Sequence, residues 1–346
     1  TPRAGEALAL MDELGLLAVF LPEVAAGRGV EQPREGPQAL RLRSGQAREG
    51  RAEKGHYYDV LGHSVAAVAA LDFMLLEQAP GEPRQADLWR ILWQYLKLFP
   101  QIRQTLRERI DGYPRLALLK LAALLHDIAK PETKTMDEKG RVRFLGHAKL
   151  GAERAGAIMA RLRFGNAATR LVKLLVAHHL RPGLLAQAFA VSRDSGVRPP
   201  TRRALYRLFR DLGEPRWAPH AYEPTKASHE VGAGHALPLL LLLHLADHAA
   251  TLGPHLDIPG WEAHAAYAAW LLAQAREEQA RVEPRLVTGH DVMAALHMRP
   301  GPLVGRILQA VQEAQATGEI DSREEALALA GRLAEGHGQV AEGASA

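Results

Sequence analysis

The sequence predicts an all-α protein on three observations. Apolar residues recur at intervals of three and four along most of the chain, no sustained apolar–polar alternation marks a strand, and the periodic runs break at Pro and Gly clusters. No internal repeat is present. The expected architecture is a helical bundle followed by a small helical carboxy-terminal region.

Residues 4–17 carry apolar positions at helical spacing and lead into Leu21-Pro22-Glu23-Val24. Residues 27–55 are rich in Gly, Gln, Arg and Glu, with seven Lys/Arg against four Glu and little that packs, and read as a disordered insertion. A helix is expected over 57–77, a break at 80–83, and helices over 87–98 and 114–127. A polar loop over 132–146 precedes helices at 147–161 and 166–179, and 181–200 is mixed. Helix 201–212 sets Arg203, Arg207 and Arg210 on one side and Leu205, Leu208 and Leu212 on another. That arginine stripe reads either as a solvated face or as a phosphate-binding surface. Residues 217–234 read as a loop, followed by helices at 237–251, 261–281, 290–297, 302–316 and 322–334, with a disordered tail from Glu335. The domains expected are a helical neck at 1–26, the insertion at 27–55, a main domain at 56–282, a helical tail at 283–334 and disorder over 335–346.

The chain has 346 residues, 47% of them hydrophobic and 24% charged, as in ordinary globular proteins. Its longest apolar run, 236–246, is interrupted by Pro238 and His244 and is shorter than the roughly 20 residues a bilayer span needs. Neither a membrane segment nor a signal peptide is read, so the expected compartment is the cytoplasm. With no cysteine, disulfides and thiolate sites are excluded, and any metal must be held by His and carboxylate. A net charge of +4 inclines the chain toward a polyanionic partner.

The stretch LAALLHDIAKP, 121–131, ends an apolar helical run on His126 and Asp127, with Lys130 one turn further and Pro131 as the expected stop. An imidazole and a carboxylate closing a core helix need hydrogen bonds, a counter-charge or a metal, because an unpaired buried polar group costs roughly 1 to 3 kcal/mol. The chain's other His-Asp pair, His290-Asp291, follows Thr288-Gly289 at an expected helix start. In chain order the helical segments carry His63, His126-Asp127, His147, His178-His179 and Asp247. These are ligands for divalent Zn, Mn, Fe, Ni or Mg, and Asp127 can bridge two ions where a His cannot. Two such ions are a common device for hydrolysing phosphate esters, with Lys130 in reach of a phosphate oxygen. His56, His220, His229, His235, His255, His264 and His337 are assigned to packing or surface roles.

The order H, HD, H, HH, D resembles the HD superfamily of metal-dependent phosphohydrolases, with Tyr58-Asp59-Val60-Leu61-Gly62-His63 as the first motif and Leu245-Ala246-Asp247 as the last. The resemblance implies Asp127 and Lys130 as catalytic residues and one or two divalent ions held by His63, His126, Asp127, His147, His178, His179 and Asp247. Two positions depart from the pattern: Ala129 stands where Gly is usual, and Gly62 where a larger residue is common. The LGLLAVFLPEV, FLGHAKLGAERA and TGHDVMAALHMRPGPLVGRILQAVQEAQATGEI segments resemble the HD-containing carboxy-terminal half of bacterial tRNA nucleotidyltransferases. No Gly-Gly turn with paired Asp, the signature of that family's catalytic head, occurs, and the chain starts with Thr, so a fragment or a headless relative is expected. Two functions follow. One is hydrolysis of a nucleotide or RNA-end phosphomonoester or phosphodiester. The other is a tRNA-binding body and tail, in which Arg203, Arg207 and Arg210 meet phosphates.

Overall fold

Asp59 accepts hydrogen bonds from the backbone N–H of Gly62 and of Gly29, both at 2.7 Å, and so starts one helix while tying an earlier segment to it. A Cβ at Gly62 would lie 3.0 Å from Asp59 Oδ1 and 3.3 Å from the Tyr58 Cβ, so a larger residue there would need these neighbours to shift by a few tenths of an ångström. The computed structural model describes residues 3–32, 56–186, 200–213, 236–280 and 284–343. The expected loop at 217–234 lies outside them, as do 33–55 of the insertion and 187–199 of the mixed stretch.

The described residues are dominated by helix, as predicted, and divide into two compact units, Thr1–Pro199 with Pro224–Ala275, and Pro200–Glu223 with Arg276–Ala346. In the first unit α1 (Ala4–Glu13), α2 (Leu16–Phe20) and α3 (Pro22–Ala25) lead to α4 (Val60–Met74). α1 lies against α4 at Gly5, whose N–H donates to Asp72 Oδ2 at 2.7 Å and whose missing Cβ would fall 2.5 Å from the Ala69 Cβ. α5 (Pro83–Leu96) and α6 (Gln101–Arg107) precede α7 (Arg115–Leu125) and α8 (Lys130–Thr133). α9 (His147–Arg161) and α10 (Asn166–His178) follow, and α12 (Ala236–Leu252) and α13 (Ile258–Ala280) complete the unit, α13 passing into the second after Ala275. α4, α7, α10 and α12 pack on one another through buried Leu, Val and Ala, including Leu71, Leu119, Leu125, Leu175 and Leu243. α12 with the turn after it is long and apolar enough to cross a membrane by length and composition, but 67% of that window is buried inside the protein, as in a core helix.

The second unit is built from α11 (Arg202–Asp211), α14 (Gly289–Leu296), α15 (Pro302–Thr317) and α16 (Arg323–Gly343). Val287, Val292, Val304, Ile307, Val311 and Ile320 form its core with Ala314, Ala326 and Ala330. At the helix start expected at the second His-Asp pair, Thr288 and Asp291 make a reciprocal cap, and Asp291 also accepts from Arg323 at 2.6 Å.

Several expectations are corrected. Two short hairpins occur where no strand was read: β1 (Arg109–Ile110) with β2 (Tyr113–Pro114), and β3 (Thr135–Met136) with β4 (Val142–Arg143). The first turns through Asp111 and Gly112, at φ 50° and 84°, as a two-residue Asp-Gly turn allows. Asp111 then accepts from the Ala168 N–H at 2.8 Å near the start of α10, which gives the Asp-Gly-Tyr-Pro stretch a structural role. Pro131 does not end α7, which closes at Leu125; it sits in the first turn of α8, where its missing N–H costs nothing. Residues 27–32, expected to be disordered, pack against α4, with Gln32 only 5% exposed. α16 runs to Gly343 beyond the expected end near Ala334. Residues 200–213 belong with the tail and not with the main domain, because the arginines of α11 bind Glu313 of α15.

Candidate metal centre

His126 is the C-cap of α7 and His179 the C-cap of α10, so each ring stands beside carbonyls that no helix amide uses. His126 Nδ1 bonds Ala123 O at 2.8 Å and His179 Nδ1 bonds Val176 O at 2.7 Å. His147, the first residue of α9, does the same with Phe144 O at 2.6 Å. This network assigns one ring hydrogen to Nδ1 and leaves each Nε2 to take a metal ion or, in its absence, a second proton.

Those Nε2 atoms converge. His63 Nε2, from the first turn of α4, lies 3.1 Å from His126 Nε2 and 3.0 Å from Asp247 Oδ1. His126 Nε2 lies 3.2 Å from Asp127 Oδ2 and 3.6 Å from Asp247 Oδ1. On the other side His147 Nε2 is 3.3 Å from His179 Nε2, and the two are 3.4 and 3.6 Å from Asp127 Oδ1. Asp127 thus turns one oxygen to each imidazole pair. His63, His126 and Asp127 form one buried ligand group, and Asp127, His147 and His179 another. His178, expected in the second group, is the last residue of α10, and its ring is not among the converging donors; one residue along, the C-cap turns His179 inward instead.

The donor set fits divalent cations. Facing lone pairs about 3 Å apart repel unless a cation lies between them, and two ligands about 2.1 Å from one ion at right angles are separated by about 3 Å. Both Asp127 carboxylate oxygens are buried and, among the described residues, lack a well-aligned hydrogen bond, although Lys130 Nζ stands 2.6 Å from Oδ2. Lys130 also donates to Gln32 Oε1 and lies over the Phe144 ring at 5.4 Å. Ala129 at φ −94° and ψ 2° makes no demand that needs glycine.

Charge is concentrated to match. Burial alone would lower the His126 pKa, but Asp127 and Asp247 override it and push it up to about 10. Burial opposes ionisation of Asp127, yet His126 and Lys130 hold it well below the usual carboxylate range; for Asp247 His126 and His63 do the same. Burial, reinforced by the charge of His126, takes His179 down to about 3. Without metal, a proton on His126 holds the carboxylates together. Since that pKa is raised from 6.5 to about 10, the stabilisation is complete below the lower value and is lost as pH rises through the upper one. Chelator-treated protein should therefore lose melting temperature between pH 6.5 and 10, and protein saturated with a divalent ion should lose less. Equal losses would contradict proton–metal exchange at this site.

Two neighbours escaped the sequence reading. Gln32, 5% exposed, carries no motif and was assigned to the insertion. His56, assigned to packing, has its ring 5.2 Å from that of His63 and is pushed down to about 3 by burial, then by Lys130 and His63. Its only sequence signal was its place seven residues before His63. His264 does prove to be a packing residue, its Nδ1 3.1 Å from His244 Nε2 and its ring stacked on His248 at 3.6 Å. His220, His229 and His235 lie outside the described residues.

The arginine stripe is already engaged. Glu313, 7% exposed, receives Arg203 Nε at 3.0 Å, Arg207 Nη2 at 2.7 Å and Arg210 Nη1 at 3.5 Å, while Arg203 also reaches Glu319 at 2.8 Å. Its three guanidinium groups hold α11 to α15, while the Arg203 and Arg207 side chains remain 46% and 52% exposed.

Comparison with known proteins places an HD domain at residues 101–248 and a tRNA nucleotidyltransferase domain 2 (putative) at 283–330. The chain is 30% identical over 338 residues, 97% of its length, to an A-adding tRNA nucleotidyltransferase of Deinococcus radiodurans, of which it covers 56%. It is also 30% identical over 333 residues, 95% of its length, to a CC-adding tRNA nucleotidyltransferase of Thermus thermophilus, of which it covers 53%. The chain thus spans about half the length of these curated relatives.

Proposed function

We propose that this chain, in which a match to the HD domain is followed by a match to a tRNA nucleotidyltransferase domain 2, is the tRNA-binding body and tail of a tRNA nucleotidyltransferase. The observation that carries this reading is similarity over 97% of the chain to an enzyme that acts on tRNA, through the HD region and the tail alike. The net charge of +4 agrees with a polyanionic partner.

Purified chain should bind tRNA saturably, and affinity should fall with salt by about 0.7 to 0.9 log units per log unit of salt for each phosphate contact. Absence of binding at low salt would overturn the reading. With ATP, CTP, Mg and tRNA the chain alone should leave the 3′ end unchanged, because no Gly-Gly turn with paired Asp occurs in it. Template-independent extension by the pure chain would contradict this.

The complete ligand set favours a second reading, phosphoester hydrolysis at the HD centre, on a nucleotide or an RNA-end phosphomonoester or phosphodiester. His63, His126, Asp127 and Asp247 would hold one divalent ion, and Asp127, His147 and His179 a second. Bound there, such ions activate water and neutralise phosphate charge. The chain's own residues do the rest. Asp127 stays ionised, facing both imidazole pairs. Lys130 holds its ammonium beside Asp127 Oδ2, where it adds positive charge next to an incoming phosphate oxygen. The backbone carbonyls behind His126, His147 and His179 fix their rings. A screen of phosphomonoesters and cyclic phosphodiesters with Mn, Ni, Zn or Mg should find metal-dependent turnover, and none with any of these would remove this reading while leaving tRNA binding intact.

A further inference from the structure

Three of the converging histidines have Nδ1 bonded to a backbone carbonyl, at 2.8, 2.6 and 2.7 Å, and the fourth does not. Among the described residues, buried His63 Nδ1 has no hydrogen-bond partner. The cause is its place in the fold. His126, His147 and His179 stand at helix ends with spare carbonyls nearby, whereas His63 lies within α4, where nearby carbonyls accept helix amides. A ring that presents Nε2 to a cation carries its hydrogen on Nδ1, and that buried donor needs an acceptor.

The neighbouring ring is His56, and its Nδ1 is likewise buried and unpartnered. The His56 and His63 rings meet edge-on, with centroids 5.2 Å apart and planes at 76°. The same step, 5.1 Å, separates His63 from His126 and His126 from His179. His56 is also held in place. The next residue's N–H donates to Thr251 O at 3.0 Å, tying the segment to the end of α12, the helix of Asp247. Gln32 Nε2 donates to Tyr58 O at 3.4 Å, and Asp59 caps α4.

We propose that His56 is the positioning residue of His63: its Nδ1 accepts, through one bridging water, the hydrogen bond from Nδ1–H that backbone carbonyls accept from the other three rings. The two orphaned atoms are satisfied together, and His63 is locked with Nε2 toward Asp247 and His126. The proposal rests on the reading of the cluster as a metal centre. A metal-binding histidine whose outer hydrogen bond is lost holds its ion about 10 to 100 times more weakly.

The test is titration of the full chain with Mn against a competing chelator. His56→Ala should weaken binding of the tighter ion by about 10 to 100 times, leave the helical signal unchanged, and be partly rescued in His56→Asn, whose amide oxygen accepts the same bond. Binding by His56→Ala within twofold of the parent would overturn the proposal. If His56→Ala fails to fold, the long-range proton–nitrogen spectrum of the unaltered Zn-bound chain decides: a protonated His63 Nδ1 with His56 Nδ1 as an unprotonated acceptor supports it, and a proton on His63 Nε2 overturns it. A parent chain that binds no ion at all would fail the metal-centre reading itself, a result distinct from either.

Discussion

Asp127→Ala should strip the chain of both ions and of any phosphoesterase activity, and it should lower the melting temperature of the metal-free protein as well. The first effect follows from geometry, because Oδ2 faces His63 and His126 while Oδ1 faces His147 and His179, so one substitution opens both groups. The second follows from charge. Lys130 is 6% exposed with its ammonium 2.6 Å from Asp127 Oδ2, and removing one partner of a buried pair costs about 3 to 5 kcal/mol. That corresponds to a fall on the order of 10 °C for a unit of this size. The helical signal at room temperature should persist, since α4, α7, α10 and α12 pack through Leu, Val and Ala. Adding Lys130→Met to Asp127→Asn should recover much of the melting temperature and none of the metal, which separates the two effects. Full metal content and activity in Asp127→Ala would place the chemistry elsewhere and leave tRNA binding as the chain's function.

Reversing Arg203, Arg207 and Arg210 together to Glu should unfold the second unit, not merely weaken RNA binding. Glu313 is 7% exposed and its carboxylate is held by all three guanidinium groups. Arg203 and Arg207 side chains are 46% and 52% exposed, so each pair alone contributes little, about 1 kcal/mol or less. The reversal does more than delete them, because it strands a buried carboxylate among three new ones, with Glu319 and Asp211 close by. Calorimetry should show the tail transition lost or lowered by on the order of 10 °C, and Glu313→Gln in the reversed protein should restore part of it. An unchanged melting profile with weaker tRNA binding would return the stripe to solvent and to phosphate.

The all-α fold and most of the converging histidine–aspartate cluster were legible in the sequence because both depend on local patterns. An apolar helix closing on His126-Asp127 states its own problem, and cysteine's absence narrows the ligands to imidazole and carboxylate. What was not legible depends on partners distant in the chain. His179 and not His178 joins the centre because α10 ends between them, and one step at a C-cap redirects a side chain. The path of His56 is fixed by the Tyr57–Thr251 backbone bond, almost two hundred positions apart along the sequence. The grouping of α11 with the tail depends on Glu313, more than a hundred residues beyond Arg203. The Asp111-Gly112 hairpin was not legible because the strands it joins are two residues long, too short to show alternation.

The central claim is that one carboxylate joins two buried imidazole pairs into a two-ion centre. Native mass spectrometry of the chain, stripped with chelator and then titrated with Mn, Ni or Zn, tests it most directly. The expected result is a species carrying two ions per chain, collapsing to none in Asp127→Ala, while His147→Ala keeps one. A chain that takes up no ion under any of these conditions, or an Asp127→Ala protein that still takes up two, would contradict it.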